Sequence, residues 1–336
     1  MSIVSLCLTP GIQRSVAIDT LTVGEVNRLK SAFVDVSGKG INVCRVLQRL
    51  GIDACCLAQG GSNADELMLL VQREGLNLKL IPSTGMLRTC TSIIETAVDG
   101  GCRVTELIEP SPTVEAPCIQ EITLAVKALL PTARAFVIAG SMAPGFPTDY
   151  QARLAGLAHD AGVPVFLDLQ GAPLRAAIAA QPALVKINLS EFVATFLSVR
   201  FQGGEHSGIL AEPVIAPEIV QAVAEVSRQQ ATTFVLTRGA KSILIAQHGE
   251  VRIVPVTPLT ANETLNPIGS GDAFLAGMVA RLVARLVTAA PGENSAHFTM
   301  DVLEHACTFA TACAQSNART ARPGFLEDSF ALDYRA

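Results

Sequence analysis

The sequence predicts an α/β protein with a mostly parallel main sheet flanked by helices and a small second β-sheet. Two observations predict this class. Between residues 118 and 324, short apolar runs alternate with longer segments of helical periodicity. This alternation is typical of a parallel sheet covered by helices on both faces. Residues 12–36 and 89–108 instead show the β-branched and polar alternation of short antiparallel strands.

The elements follow from these patterns in chain order. Residues 3–8 are an apolar run ending at Thr9, Pro10 and Gly11, which is typical of a buried strand that ends at a turn. Residues 54–58, 64–74 and 76–81 then read as strand, helix and strand, and residues 89–108 as a hairpin turning at 99–101. Together with residues 12–36, this hairpin predicts a small sheet outside the main fold, suited to act as a lid.

The remainder predicts seven helices, four strands and one hairpin, which precedes the last two helices. The helices are expected at 119–130, 150–161, 172–180, 191–197, 217–229, 273–286 and 302–314, the strands at 135–139, 163–167, 184–187 and 233–236, and the hairpin at 243–254. A glycine-rich interruption falls at 203–208. Carboxyl ends of parallel strands meet at one edge of a sheet. We therefore expect Gly140, Ser141, Asp168, Asn188 and residues 237–239 to converge there.

Composition favours an enzyme that acts on small molecules. The 336 residues are 49% hydrophobic with a net charge of −5 and a pI near 5.6, so nothing favours nucleic acid or a membrane as partner. Nine cysteines without a Cys-x-x-Cys pair indicate reduced thiols in a cytoplasmic protein, and five dispersed histidines argue against a transition-metal site. Residues 2–8 lack the length and basic flank of a signal peptide.

Residues 266–272, Asn-Pro-Ile-Gly-Ser-Gly-Asp, directly precede an apolar helical segment. Gly269 and Gly271 permit backbone angles and close approaches that other residues forbid, and a helix start offers unpaired N–H groups to an anion. Asp272 adds a carboxylate, which suggests that it accepts a proton from an attacking hydroxyl. Helix capping alone is the alternative for this motif considered in isolation.

A second glycine-containing loop, residues 37–42, also leads into a helix. Gly38, Lys39, Gly40 and Asn42 cluster where the loop meets the helix start, which suits a polar or anionic ligand. A tight turn with a surface lysine is the alternative. The chain has no G-x-x-x-x-G-K-[ST] string, so the loop is not a Walker A motif.

Four ordered segments resemble the ribokinase-like (PfkB) carbohydrate kinases. Residues 37–43, Ser-Gly-Lys-Gly-Ile-Asn-Val, are similar to the first family signature, and residues 266–272 are similar to the second. Residues 186–191 resemble the Lys-Pro-Asn-x-x-Glu element, and 236–241 the loop beside the nucleotide. Residues 24–28, 41–43 and 105–106 are similar to the 1-phosphofructokinase and tagatose-6-phosphate kinase branch.

The resemblance implies a set of site residues and two ligands, ATP and Mg²⁺. Asp272 would be the catalytic base, with the amides of Gly269, Ser270 and Gly271 as an anion hole. Glu191 would act indirectly on Mg²⁺. The sugar side would comprise Gln13, Gly38, Lys39, Gly40, Asn42, Arg88 and Ser141, with Arg88 on the existing phosphate, and the nucleotide side would comprise Lys186, Asn188, Thr237 and Gly239.

The expected activity is transfer of the γ-phosphate of ATP to a ketohexose monophosphate, of the fructose 1-phosphate or tagatose 6-phosphate type. The alternatives are a ribokinase-like kinase of an unphosphorylated sugar or nucleoside, and a non-catalytic sugar-phosphate sensor. Gln13 stands where the branch usually has aspartate, which bears on the sugar accepted. Ser37, Ile187 and a longer segment at 199–213 also depart from the family pattern.

The resemblance further implies two domains and a dimer. The main domain would comprise residues 1–11, 36–86 and 109–336, and the lid residues 12–35 and 87–108. Half-open lid sheets expose apolar faces, so a homodimer through the lid is expected.

Overall fold

The computed structural model describes residues 2–96, 101–197, 215–288 and 298–330. Within these ranges the strands form one sheet of nine and one of four. The strands are β1 Ile3–Cys7, β2 Gly11–Ile18, β3 Ser31–Ser37, β4 Ala54–Gln59, β5 Leu78–Ile81, β6 Arg88–Thr96, β7 Cys102–Ile108, β8 Ala135–Ala139, β9 Val165–Asp168, β10 Leu184–Asn188, β11 Phe234–Thr237, β12 Ile243–Gln247 and β13 Glu250–Val254.

The helices surround the larger sheet. They are α1 Lys39–Arg49, α2 Ala64–Glu74, α3 Ala116–Leu129, α4 Tyr150–Asp160, α5 Gly171–Ala177, α6 Leu189–Phe192, α7 Pro217–Gln229, α8 Ser270–Thr288 and α9 Met300–Ala318. A π-helical turn, Val193–Leu197, follows α6. In the part of the chain that the structure describes, no helix is long and apolar enough to cross a membrane.

The large sheet has the strand order β13-β12-β11-β10-β9-β8-β1-β4-β5. From β5 to β11 every neighbouring pair is parallel, and only the β11–β12 and β12–β13 pairs are antiparallel. The expected mostly parallel sheet is therefore confirmed. The register pairs Ala139 with Asp168 and Asn188 with Thr237, so the carboxyl ends of β8 to β11 meet at one edge.

Successive residues of β1 point to opposite faces of the sheet, and each face packs in a separate core. Ile3 and Cys7 join the apolar core that includes α1, α8 and α9, whereas Val4 and Leu6 join the core that includes α3, α4 and α7. A Cβ atom at Gly277 would lie 2.7 Å from Ala310 Cα, so this glycine lets α8 and α9 pack closely. That packing fixes the axis of α8, whose first turn carries Asp272.

The small sheet has the order β3-β2-β6-β7. β2 pairs antiparallel with β3, and β6 with β7, whereas β2 and β6 are parallel because they come from separate hairpin-like segments. The expected second sheet is confirmed as a structural unit. The domain boundaries given above remain a prediction.

Several element ends differ from expectation. The helix predicted at 191–197 begins at Leu189, because the Asn188 side chain accepts the Glu191 N–H and caps the helix two residues earlier. α8 begins at Ser270 instead of residue 273, so Asp272 lies inside the helix. The interruption at 203–208 lies outside the described residues, as does most of the predicted turn at 99–101.

Candidate active site

The glycine-rich loop before α8 is held by two buried asparagines. Asn266 Oδ1 accepts the Ile268 N–H at 3.0 Å, and its Nδ2 donates to Ala321 O at 3.2 Å. From α9, Asn317 Nδ2 donates to Ile268 O at 2.9 Å and to Ser270 Oγ at 3.1 Å. Sequence reasoning missed Asn317, because nothing in the local pattern of α9 shows which loop it contacts.

Gly269 is required sterically, and Gly271 lies close to the end of a lysine side chain. Gly269 has φ +84°, and a Cβ there would lie 2.6 Å from Gly324 N. A Cβ at Gly271 would lie 2.9 Å from Lys186 Nζ. The loop therefore approaches a neighbouring backbone on one side and an ammonium group on the other.

The first turn of α8 offers unpaired donors. Within the described residues, the N–H groups of Gly269, Gly271 and Asp272 meet no hydrogen-bond acceptor. The Ser270 N–H instead donates to Pro267 O at 3.2 Å. The anion hole expected from the Gly269, Ser270 and Gly271 amides stays a prediction. In this structure the turn engages the Ser270 amide, and the Asp272 amide is open. Such donors at a helix N-terminus suit an anion.

Asp272 is buried, with 5% of its surface exposed. Asn42 Nδ2 donates to Asp272 Oδ2 at 2.7 Å, joining the two glycine-containing loops across 230 residues of sequence. Burial raises the pKa of Asp272 to about 6, although Lys39 and the Asn42 hydrogen bond oppose the rise. A carboxylate with this pKa is ionised at neutral pH and basic enough to accept a proton.

Asp168, at the end of β9, lies between two lysines. Lys186 Nζ is 2.9 Å from Asp168 Oδ2, and Lys39 Nζ is 3.2 Å from Oδ1. Although burial opposes it, the two ammonium groups lower the pKa of Asp168. The same contact raises the pKa of Lys39 above its ordinary value. Asp168 thus keeps both lysine ammonium groups beside Asp272. The sequence predicted that Asp168 lies at the sheet edge but did not predict this role.

Arg45 fixes the orientation of the Asn42 amide. Its Nη1 donates to Asn42 Oδ1 at 2.7 Å, so the amide nitrogen of Asn42 must face Asp272. Arg45 is itself held by Glu74 Oε2 at 2.9 Å from Nε and by Val36 O. Arg45 was absent from the residues expected at the site.

Asn188 and Glu191 cap each other at the start of α6. Asn188 Oδ1 accepts the Glu191 N–H at 2.8 Å, while Glu191 Oε2 accepts the Asn188 N–H at 3.2 Å. Glu191 Oε1 makes no hydrogen bond in the described part of the chain. The capping box therefore orients this carboxylate at the sheet edge, where its charge acts on Lys39.

A mainly apolar cavity of about 320 Å³ adjoins the glycine-rich loop. Thr237 and Gly239, both expected beside the nucleotide, line it, and so do Ser270 and Gly271. The apolar part of the lining includes Ala240, Ile243, Val256, Pro258, Leu259, Pro267, Phe274 and Ala314. Its size and lining suit a flat heterocycle whose polar end points to the start of α8.

On the lid side, Arg88 approaches the turn after β1. Its Nη2 donates to Thr9 O at 3.3 Å, and Nε is buried without a partner in the described residues. Gln13 is 4% exposed, and its Nε2 donates to Ser92 Oγ at 2.9 Å, leaving Oε1 as an acceptor. The backbone of Ser141 accepts from Thr9 Oγ1 at 3.5 Å.

Two of the predicted sugar-side glycines have packing reasons. A Cβ at Gly40 would lie 2.2 Å from Leu6 O, so Gly40 lets α1 sit against β1. Gly38 has φ +137°, and a Cβ there would lie 2.3 Å from Cys7 Sγ. These constraints account for both glycines without a ligand, whereas Lys39 and Asn42 reach the buried carboxylates.

Among the described residues, no three His, Cys, Asp or Glu side chains group as metal ligands. All nine cysteines are free thiols, and burial raises the pKa of Cys44 to about 12. Six of the nine are buried and serve as small core residues, whereas Cys55, Cys90 and Cys102 are partly exposed.

The family model of the pfkB carbohydrate kinases matches residues 10–326. The chain belongs to this family. The expected family and kinase class are thereby confirmed, and membership implies ATP as the phosphoryl donor.

Solved structures share the fold at low sequence identity. Phosphofructokinase-2 of Escherichia coli, in complex with substrates and products, gives a TM-score of 0.79 at 19% identity, covering 100% of this chain and 98% of that one. A possible 1-phosphofructokinase of Thermotoga maritima gives 0.76 at 20%, covering 99% and 98%. Ribokinase of Arabidopsis thaliana, complexed with ribose and ATP, gives 0.66 at 16%, covering 100% and 99%.

Proposed function

We propose that this carbohydrate kinase transfers the γ-phosphoryl group of ATP to a hydroxyl of a ketohexose monophosphate. The observation that carries the proposal is the buried Asp272 carboxylate beside the unpaired amides of the same helix start. A base and an anion site within one helical turn can hold both reacting groups of a phosphoryl transfer. Arg88 has a buried Nε that meets no partner among the described residues, which supports a substrate that already carries a phosphate.

Asp272 acts as the general base. Its carboxylate accepts the proton of the attacking hydroxyl as the hydroxyl oxygen bonds to the γ-phosphorus and the bond to the bridging oxygen of ADP breaks. Asn42, at 2.7 Å, keeps the carboxylate aligned. Burial supports the role because it raises the pKa of Asp272 to about 6, close to the working range of a base.

The transferred phosphoryl group faces two sets of donors. These are the backbone amides of Gly269, Gly271 and Asp272 and the ammonium groups of Lys39 and Lys186. Phosphoryl transfer spreads negative charge over the equatorial oxygens, and fixed donors in a buried site stabilise that charge. Asp168 holds the two lysines in place at 3.2 and 2.9 Å. The lid then excludes water, which limits wasteful hydrolysis of ATP.

The residues present fit a Mg²⁺ ion that enters with the nucleotide. Asp168 is engaged by two lysines, and Glu191 offers one open carboxylate oxygen, Oε1. Mg²⁺ keeps several waters and binds through few carboxylates together with substrate phosphates. Glu191 would hold the ion through water, and the ion would neutralise charge on the phosphates. The cavity beside Thr237 and Gly239 would accept the adenine ring.

The experiment is an ADP-release assay with Mg-ATP on phosphorylated and free ketohexoses, with Asp272→Asn beside the wild type. We expect turnover on fructose 1-phosphate or tagatose 6-phosphate, and a loss of roughly 100- to 10,000-fold in Asp272→Asn. Nucleotide binding should survive, because the amides are unchanged. Near-normal turnover of Asp272→Asn would exclude Asp272 as the base.

Arg88→Ala separates the substrate classes. Loss of a charged hydrogen-bonding partner should raise KM for a sugar phosphate by about tenfold or more and leave a free sugar unaffected. Arg88→Lys, which keeps the charge, should be intermediate. Turnover only on free sugars or nucleosides would favour the unphosphorylated-substrate alternative, and none on any sugar would favour a sensor.

We also infer a homodimer through the lid. Val23, Val26, Leu107 and Ile108, on the small sheet and its connecting loop, are 91%, 84%, 57% and 59% exposed. Apolar residues concentrated on one small sheet support an interface with a second copy. Sedimentation equilibrium should give a dimer that Leu107→Asp weakens, and a monomeric wild type would contradict the inference. The cytoplasmic location stays a prediction.

A further inference from the structure

One face of α9 forms a wall of the cavity beside the glycine-rich loop. Thr311, Ala314, Gln315 and Ala318 line the cavity. They recur at the three- and four-residue spacing that places side chains on one side of a helix. Gln315 is the longest of these side chains, so the position of its amide group decides what a ligand meets on this wall.

The amide group of Gln315 is oriented by the backbone of another segment. Its Nε2 donates to Thr257 O at 2.7 Å. A carbonyl oxygen can only accept, so the nitrogen of the amide must face Thr257 and Oε1 must occupy the other position. Oε1 accepts no hydrogen bond within the described residues, and it is accessible instead of enclosed. Gln315 therefore presents an open acceptor that is held in place.

The contact with Thr257 also places this amide in the apolar part of the cavity. Val256, Pro258 and Leu259 lie next to Thr257 in sequence, and all three line the cavity. The same cavity extends to the start of α8, where the phosphates of the nucleotide are proposed to bind. A base whose phosphates lie at α8 therefore reaches the apolar wall that carries Gln315.

Two threonines of the same lining add further acceptors. Thr311 Oγ1 donates to Cys307 O at 2.8 Å, and Thr264 Oγ1 donates to Thr260 O at 3.4 Å. Each hydroxyl has given its single proton to the backbone, so it offers only lone pairs to a ligand. An amino group on the ligand matches this wall, whereas a carbonyl oxygen would meet lone pairs.

We propose that Gln315 selects adenine as the base of the nucleotide, because its Oε1 accepts a hydrogen bond from the 6-amino group. Hypoxanthine and guanine carry a carbonyl oxygen at this position, which would face Oε1 and leave both oxygens without a donor. Unpaired polar groups in a closed site cost free energy, so such a site discriminates strongly. The inference rests on the proposed function in one respect, that the cavity holds the base of a nucleotide.

Base selection is tested by calorimetric titration of the full chain with ADP and with IDP in the presence of Mg²⁺. ADP has an amino group at the 6-position, whereas IDP has a carbonyl group there. We expect the wild type to bind ADP about tenfold or more tightly than IDP. Equal affinities would overturn the inference. Tighter binding of IDP would also overturn it, since the second Nε2 proton of Gln315 would then face the base.

Gln315→Met removes both polar ends of the side chain and keeps an unbranched chain of similar length. The ratio of the ADP affinity to the IDP affinity should fall toward unity, because methionine offers no comparable acceptor. Loss of the contact with Thr257 changes the shape of the cavity and weakens both probes, so the ratio reports base reading alone. A wild-type ratio in Gln315→Met would overturn the inference.

The matched control is Gln221→Met, which changes an exposed glutamine on α7 whose Nε2 donates to Glu225. This variant should keep the wild-type ratio of affinities, because Gln221 does not line the cavity. Thermal denaturation establishes that both variants are folded before their affinities are compared.

Turnover gives a second readout. The wild type should have a higher kcat/KM for ATP than for ITP, and Gln315→Met should reduce this preference. At saturating ATP, kcat should be nearly unchanged, because Gln315 does not touch the reacting groups. A fall in kcat with the preference for ATP intact would assign Gln315 a structural role and overturn the inference.

Failure of this inference is distinguishable from failure of the proposed function. An active kinase that binds ADP and IDP equally rejects the role of Gln315 and leaves the kinase standing. A chain that selects ADP through Gln315 but phosphorylates no sugar rejects the proposed function and leaves base selection standing. A wild type that binds neither probe rejects both.

Discussion

Replacing Asn42 by leucine should move the acid limb of the pH–activity profile upward. The Asn42 amide donates to Asp272 Oδ2 at 2.7 Å, and this hydrogen bond favours the ionised carboxylate. Leucine has the same number of side-chain heavy atoms and the same branching at Cγ, but no donor. Without the hydrogen bond, burial acts on Asp272 unopposed by the amide, so its pKa must rise above its present value of about 6.

The size of the shift follows from the strength of the lost contact. A hydrogen bond to a charged group contributes about 1.5–3 kcal/mol, and one pKa unit corresponds to about 1.36 kcal/mol. The acid limb should therefore move by about one to two units, from about 6 to about 7–8. Because the base works only when ionised, activity is lost as pH falls through this limb.

The assay is kcat/KM against pH, from about pH 5 to about pH 9, since kcat/KM reports the free enzyme. The height of the profile also falls because Asn42 is proposed to hold the sugar, but the position of the limb reports the pKa alone. Asn77→Leu, at an exposed residue before β5, is the control and should leave the limb at about 6. An unmoved limb in Asn42→Leu would refute the reasoning.

Two further substitutions test the charges and the loop. Asp168→Asn removes a carboxylate that raises the pKa of Asp272. The acid limb of the pH–activity profile should therefore shift below 6 in the same assay, and kcat should fall. An upward shift of the limb would contradict this electrostatic account. Gly324→Ala should lower the free energy of unfolding, measured in urea, by about 1–3 kcal/mol, since Gly324 has φ +78° and its Cβ would lie 2.7 Å from Asn42 Oδ1. The matched Gly156→Ala, at a helical position with open space, should be neutral or stabilising by about 0.4–1 kcal/mol; equal costs at both positions would refute the steric explanation.

Local patterns were sufficient for most of the fold. Helical periodicity located α2 and α7 at their observed bounds, and the apolar run at 135–139 is β8. Periodicity and apolar runs predict these elements because burial of one helix face, or of a whole strand, depends on the local order of side chains. Element ends were less predictable. The start of α6 depends on a side-chain contact between Asn188 and Glu191, which apolar periodicity does not report.

The sequence predicted which types of residue form the site, but not which of their side chains contact each other. The two glycine-containing loops and Asp272 stood out because glycine before a helix start has few purposes. Asp168 was expected at the sheet edge, yet its contacts with Lys39 and Lys186 depend on the order of β8, β9 and β10. Which amides remain unpaired likewise depends on the turn in which the Ser270 N–H donates to Pro267 O.

The order of residues was enough to predict the α/β class, the family signatures and the chemical groups present at each loop. Which of these groups meet depends on how the helices and strands pack. Asn42 and Asp272 are 230 residues apart and touch only because α1 and α8 pack on the same face of the sheet. Arg45, Glu74 and Asn317 acquired their roles in the same way. The physical reason is that periodicity reports burial, whereas the partner of a polar side chain is set by the packing of elements distant in sequence.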